Sequence, residues 1–179
     1  MDKVKVRDKE FSLFLTAEDI DKGVGQVAEM INVDMEGRDP LFLCVLNGAF
    51  IFASDLLKKV KVDCEISFVK LSSYVGTKTT NTVRELIGLD QKLEGRTVVV
   101  VEDIIDTGIT MSYTLEKLRK LGASDVRIAT LLFKPEAFKK DYAIDYVGIV
   151  IPNEFIVGYG LDYDGHGRNL PDIYKIIED

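Results

Sequence analysis

From Val98 to Thr110 the chain reads VVVVEDIIDTGIT. Three carboxylates, Glu102, Asp103 and Asp106, follow an unbroken apolar run, and Thr107, Gly108, Ile109 and Thr110 follow them. Carboxylates do not bind an anion directly, but they bind sugar hydroxyls or a divalent cation such as Mg²⁺. The residues after Asp106 offer the opposite chemistry. Gly108 permits tight backbone geometry and close approach of a ligand. The hydroxyls of Thr107 and Thr110, together with the backbone N–H groups of a helix that starts here, make an anion site. The two halves suit a ligand with a phosphate at one end and vicinal hydroxyls beside it.

Such a cluster needs a rigid strand before it and a helix after it. Four consecutive valines cannot form a one-sided strand and make a poor short helix, so 97–101 is predicted as a strand buried on both faces. Met111, Leu115 and Leu118 then repeat at helical spacing over 110–120, with Gly122 placed to end the helix. Upstream, Thr16 and Asp19 form a capping pattern ahead of Ile20, Val24, Val27, Ala28 and Ile31, which predicts a helix from about 16. A turn at Gly37-Arg38-Asp39-Pro40 leads to LFLCVL (41–46), a second doubly buried strand. A helix over 50–59 follows, with Lys58 and Lys59 at its C-terminal dipole.

Val62, Cys64, Ile66 and Phe68 alternate with polar residues, which predicts a strand over 62–70 with one wetter face. Residues 72–82 are polar and unpatterned, a mobile loop, and 83–89 form the edge strand of a hairpin. Strands at 126–133 and 146–152 complete the series, and the Gly- and Tyr-rich tail has no clear period. Strands alternating with helices predict an α/β fold, a mostly parallel sheet flanked by helices, in which ligands bind outside the carboxyl ends of the strands.

VVVVEDIIDTGIT resembles the phosphoribosyl-pyrophosphate signature of the type I phosphoribosyltransferases, and in the form EDIIDTG the hypoxanthine-guanine branch. LCVLNGAFIFASDLL (43–57), LSSY (71–74), LLFKP (131–135) and IPNEFIVGYGLDYDGHGRNL (151–170) resemble further segments of that family, in its order, over roughly residues 40–172. The resemblance implies one domain over 1–179. Its core spans about 16–150. A small hood is built from the N-terminal residues and, largely, the C-terminal segment from about 151, and a mobile lid covers about 72–90. It implies transfer of the phosphoribosyl group of phosphoribosyl pyrophosphate to a 6-oxopurine base, with Mg²⁺ as cofactor and a homodimer or homotetramer as the assembly.

The resemblance also assigns roles. Glu102 and Asp103 hold the ribose hydroxyls and a magnesium. Asp106 lies near the purine N7 as general acid or base, a task that burial and neighbouring carboxylates favour. Thr107, Gly108, Ile109 and Thr110 cradle the 5′-phosphate. Lys134 hydrogen-bonds the purine O6; an ammonium has only donors, which favours a carbonyl over an amino group. Phe155 stacks on the base and the Ile156 backbone meets its edge. Asp162 ligates a second magnesium, and Arg168 binds pyrophosphate through its fork. Leu46, Asn47 and Gly48 match a Leu-Lys-Gly loop with a non-proline cis peptide; Asn removes any charge role there and leaves the backbone role. Ser73 and Tyr74 match a lid pair. Preference among hypoxanthine, guanine and xanthine stays open.

The formal net charge is −7. That disfavours nucleic acid as a partner and, with the intact acidic motif, a non-catalytic RNA-binding regulator. A dinucleotide oxidoreductase lacks support, because no G-x-G string continues to a third Gly at the required spacing. No segment approaches the ~20 apolar residues of a membrane span, and the N-terminus has no signal-peptide core, so a cytoplasmic, membrane-free protein is expected. Cys44 and Cys64 are expected as buried free thiols. His166, the single histidine, is expected as a loop residue without a catalytic role.

Overall fold

Val98, Val99, Val100 and Val101 have no exposed surface. They form the middle of β6 (Thr97–Ile105) in a computed structural model that describes residues 3–74, 82–87 and 92–177. Two more strands flank it, β3 (Leu41–Leu46) and β7 (Asp125–Phe133), both parallel to it. β4 (Glu65–Tyr74) continues the sheet beyond β3, and β8 (Tyr146–Val150) beyond β7, again in parallel. β5 (Thr82–Ile87) closes the edge as an antiparallel hairpin partner of β4. The order is β5-β4-β3-β6-β7-β8. The chain therefore winds outward one way from β3 and the other way from β6, and the strand order reverses between these two central strands.

Strand alternation sends Phe42, Cys44, Val99, Val101, Ala129 and Leu131 to one face. They meet Val24, Val27 and Ile31 of α1 (Ala17–Asp34) and Phe52, Ala53 and Leu56 of α2 (Phe50–Lys59). Leu41, Leu43, Val98, Val100 and Ile128 point the other way, onto Met111, Leu115 and Leu118 of α3 (Ile109–Lys120). A second sheet, antiparallel throughout, stands apart: β1 (Lys3–Val6), β2 (Lys9–Leu15), β10 (Ile173–Ile176) and β9 (Ile156–Val157), in that order. It has its own small core of Val6, Phe11, Val157 and Tyr174.

Several expectations need correction. The strand predicted over 62–70 runs from Glu65 to Tyr74, so 72–74 are strand rather than loop. Residues 75–81 and 88–91 lie outside the described residues. The apolar face read from Ile66 and Phe68 is the exposed one, at 43% and 41%, while Val69 on the other face is buried. The reason is coverage: α2 packs over β3 and β6, and among the described residues no helix packs on β4 to the same extent. Cys44 is buried as expected, and burial pushes its thiol up to about 12, but Cys64 is exposed; both are free. β1 and β2 have no counterpart among the predicted elements.

The Thr16 cap is present. Thr16 Oγ1 accepts the Asp19 N–H (3.2 Å), and Asp19 Oδ2 accepts the Thr16 N–H (3.1 Å). Asp172, from the tail, adds an acceptor to the Ala17 N–H at 2.7 Å. Thr16→Ala is expected to cost about 1 kcal/mol, read from the urea unfolding midpoint; an unchanged midpoint would show that Asp172 alone satisfies this helix start.

Candidate functional site

Crevices of parallel sheets lie where strand order reverses, here between the carboxyl ends of β3 and β6. Leu46-Asn47-Gly48 leaves β3 at that point, with a cis peptide between Leu46 and Asn47. Glu102 to Asp106 lie beside it at the carboxyl end of β6. β6 extends through Ile105, so Glu102 and Asp103 sit on the strand itself and not after its end. The contact between the two loops is close: a Cβ on Gly48 would fall 1.7 Å from Asp103 Oδ2. Asp103 Oδ1 accepts the Ile104 N–H at 2.9 Å.

Burial raises both acids of the pair. Glu102 is held well above the ordinary glutamate value by loss of hydration and then by the neighbouring Asp103 charge. Asp103 is pushed up to about 6 by burial, against the opposing pull of the Ile104 N–H, its own backbone N–H and Arg168. Glu102 Oε2 is enclosed and has no hydrogen-bond partner among the described residues. An enclosed, unpaired acceptor beside a second carboxylate is a donor set for a cation or for hydroxyl groups.

Thr107 to Met111, with Glu102 and Ile104 to Asp106, line a pocket of about 120 Å³. Gly108 takes φ +77 and serves as N-cap of α3, and no side chain caps that helix start. The first-turn N–H groups thus remain available to an anion.

Lys134 follows the end of β7. Its N–H donates to the Ile105 carbonyl (3.0 Å), which fixes it next to the motif. It is 7% exposed, so it is not a snorkelling surface lysine, and its ammonium lies 3.5 Å from Asp106 Oδ2. Asp106 is not buried among carboxylates: its side chain is 47% exposed, and its charged neighbour is this lysine.

The tail closes the crevice. The Ile151 N–H donates to the Phe133 carbonyl (2.9 Å), so the chain toward Phe155 leaves beside Lys134. Phe155 is 46% exposed, its ring near Phe11 (6.3 Å) and edge-on to Tyr163 (5.9 Å). Ile156 is buried in β9, paired with Lys175. Gly160 presses on the first loop: a Cβ there would lie 2.2 Å from the Gly48 carbonyl oxygen. Arg168 donates to the Gly160 carbonyl (2.6 Å) and pairs with Asp162 (2.5 Å), which also accepts the Gly165 N–H (2.7 Å). His166 accepts from Arg7 across the small sheet, at 3.0 Å. Ser73 and Tyr74 are placed at the end of β4, paired with Val83 and Thr82, and their side chains lie outside the described residues.

Leu46-Asn47-Gly48, the acidic motif, Lys134 and the Asp162–Arg168 loop therefore converge. Sequence reasoning missed Gly160. Gly158-Tyr159-Gly160 lies inside the segment 151–170 that resembles the family, but no role was given to its glycines. Two glycines around a tyrosine in an apolar tail already signalled a close backbone approach.

A family described as the phosphoribosyl transferase domain matches residues 14–164. The chain belongs to the phosphoribosyltransferase family. It is 41% identical over 168 residues to a hypoxanthine-guanine phosphoribosyltransferase of Streptococcus thermophilus, covering 93% of each chain. The corresponding enzyme of Lactococcus lactis is 41% identical over 160 residues, 89% of this chain and 87% of that one. Among solved structures, a hypoxanthine phosphoribosyltransferase of Staphylococcus aureus superposes with TM-score 0.87 at 36% identity, covering 93% and 91%. The Trypanosoma cruzi enzyme in complex with the product IMP gives 0.86 at 32% identity, covering 97% of each. The two-sheet architecture described above is thus the phosphoribosyltransferase fold with its hood.

The raised acids of this phosphoribosyltransferase have a consequence for stability. A carboxyl whose folded pKa lies above its unfolded value is ionised in the fold at a cost. That cost is absent below the ordinary aspartate value, grows as pH rises toward about 6, and is complete above it. Asn carries no such cost. Asp103→Asn is expected to stabilise the metal-free protein near neutral pH, and the gain should shrink as pH falls toward about 4. Urea unfolding of both proteins across that range checks it; a gain independent of pH would show that Asp103 is not the strained acid.

Proposed function

We propose that this chain acts in purine salvage: it transfers the 5-phosphoribosyl group of phosphoribosyl pyrophosphate to hypoxanthine or guanine, giving IMP or GMP and pyrophosphate. The observation that carries the choice of base is Lys134, a buried ammonium at the carboxyl end of β7 beside Asp106. A donor-only group in that place selects a purine carbonyl at C6 and leaves an amino group there unpaired. The relatives' activities support the same assignment.

In this reading the bond from the anomeric carbon to pyrophosphate breaks as a bond to the purine nitrogen forms, through an oxocarbenium-like transition state. Phosphate binds over Thr107 to Thr110, where N–H groups and the α3 dipole meet its charge. Lys134 holds O6, and Phe155 offers a ring face to the base. Asp106 is half exposed and so reachable by substrate; it takes the proton that the purine releases. Asn47 lacks a side-chain charge, so pyrophosphate meets the backbone of Asn47 and Gly48, and the guanidinium of Arg168. Ser73 and Tyr74 close over the reacting centre.

Among the described residues no three carboxylate, thiol or imidazole groups gather at one point. Mg²⁺ commonly takes one or two carboxylates and completes its shell with ligand oxygens and water. Glu102 and Asp103 fit this donor set, since Glu102 Oε2 is enclosed and unpaired. Asp162 is the second candidate once its pair with Arg168 opens. When bound, the metal would neutralise charge on pyrophosphate and on the acid pair.

We also infer a cytoplasmic homodimer or homotetramer acting on small molecules and not on nucleic acid. No helix among the described residues is long and apolar enough to cross a membrane. Ile66 and Phe68, uncovered on one face of β4, offer apolar surface to a second copy. Phe68→Asp should lower the mass seen in sedimentation; an unchanged mass would put the interface elsewhere.

The central test is a panel of bases, each supplied with Mg²⁺ and phosphoribosyl pyrophosphate. Hypoxanthine or guanine should turn over, and a chelator should abolish it. Turnover of adenine or uracil alone would refute the role given to Lys134. In Asp106→Asn, base binding should survive while turnover falls by about a hundredfold or more; unchanged turnover would remove Asp106 from proton transfer.

A further inference from the structure

Gly108 is enclosed from behind. A Cβ there would lie 2.5 Å from the Tyr142 hydroxyl, 2.7 Å from Phe138 Cε2 and 3.0 Å from Lys140 Cγ. These residues belong to the segment between β7 and β8, outside every motif so far assigned. The Tyr142 hydroxyl donates to the Gly108 carbonyl at 2.7 Å. Ser112 donates to the same oxygen through its N–H (3.0 Å) and its hydroxyl (3.1 Å). Tyr142 is itself held in place. Its ring meets Phe138 edge-on at 5.2 Å and 80°, and Phe138 meets Phe133, the last residue of β7, at 5.4 Å and 76°. A chain of three aromatic rings thus runs from the strand that ends beside Lys134 to the back of the Gly108 turn.

Peptide geometry gives this contact a direction. The carbonyl of Gly108 and the N–H of Ile109 share one planar trans peptide and point in opposite directions. Holding the carbonyl toward Tyr142 and Ser112 turns the Ile109 N–H the other way, toward the pocket lined by Glu102 and by Ile104 to Met111. Gly108, at φ +77, has no side chain to fix this peptide; Ser112 holds its carbonyl from within the helix, and Tyr142 adds the hold from outside it.

We infer that Tyr142 is a positioning residue for the phosphate-binding turn: its hydroxyl fixes the Gly108–Ile109 peptide so that the Ile109 N–H faces the 5′-phosphate of the ligand. This rests on the assignment of residues 107–110 as the phosphate cradle. A hydroxyl that merely satisfied a buried carbonyl would affect stability and nothing else. A positioning hydroxyl affects ligands that carry a 5′-phosphate and spares those that lack it.

The test compares IMP with inosine, which differ only in that phosphate, by calorimetric titration. Tyr142→Phe keeps the ring packing and removes the hydroxyl. It should weaken IMP about fivefold, the loss of roughly one net hydrogen bond, and leave inosine unchanged. Tyr146→Phe is the control. It removes a hydroxyl that donates to Asp34, at the opposite end of the sheet, and should leave the IMP-to-inosine ratio as in the native protein. Thr110→Val tests the cradle itself and should lower the ratio. If Thr110→Val lowers it and Tyr142→Phe does not, the positioning role is overturned and the cradle stands. If Tyr146→Phe lowers it as much as Tyr142→Phe, the effect is general loosening and the role is overturned. An unchanged ratio in Thr110→Val would overturn the cradle and the inference built on it.

Discussion

Everything in the crevice depends on three stretches of backbone approaching closer than side chains allow. Gly48 lies against the carboxyl of Asp103, and Gly160 lies against the carbonyl of Gly48. A β-carbon at either place would overlap oxygen, at 1.7 Å in the first case and 2.2 Å in the second. Gly160 also needs φ +97, which other residues rarely adopt. The tail, the loop after β3 and the acidic strand β6 are therefore stacked in that order, backbone on backbone on carboxyl. Small residues here serve proximity first and conformational freedom second. The stacking brings N–H groups of one loop next to carboxylates of another, which is what a ligand with both phosphate and hydroxyl groups requires.

Close approach needs anchors, because the tail belongs to a sheet with its own core. Besides the Ile151 N–H on the Phe133 carbonyl, two side-chain contacts attach it to the larger unit. Tyr159 donates to Asp55 of α2 at 2.6 Å, and Asp172 accepts the first free N–H of α1. Both sites lie on helices that pack on one face of the parallel sheet, so the tail is referenced to the same core that fixes β3 and β6. Hydrogen bonds are directional, and apolar contact is not. Two of them, flanking Gly160 in sequence, can hold it in register over Gly48 where a greasy interface would permit sliding.

The parallel core was legible because its chemistry is local. Four valines in a row, the Thr16–Asp19 cap and the Gly-Arg-Asp-Pro turn each state their structure within a few residues. The second sheet was legible only through the family resemblance, which implied a hood from the N-terminal residues and the C-terminal segment, and not from any pattern in its residues. β9 has two residues and β1 has four, too few to show a period, and β2 finds its second partner, β10, at the other end of the chain. β4 misled for a related reason: alternation shows that two faces differ, but only the placement of α2 decides which face is covered. At the site, the motif located Glu102 to Thr110, and resemblance located Lys134 and Arg168. The partners of these residues were invisible. Tyr142 and Phe138 sit in a segment without pattern, and their importance comes from where β7 ends. The pairing of Lys134 with Asp106 likewise depends on strand order and not on spacing.

Charge within the site follows a common rule: each cation already has an anion of the protein's own. Lys134 faces Asp106, and Arg168 faces Asp162. Among the described residues Glu102 and Asp103 have no cation within ion-pair distance, and burial raises both. In the proposed reaction this arrangement becomes an exchange of partners. A purine carbonyl takes the ammonium and frees Asp106 for the ring proton. Pyrophosphate oxygens take the guanidinium and free Asp162. A cation shared with the ligand relieves the acid pair. Each exchange costs a pre-existing pair, so a ligand supplying one group gains little. A ligand supplying carbonyl, ribose and phosphates together breaks all the pairs and satisfies every group released. Selectivity then comes from the sum of exchanges and not from the strength of any single contact.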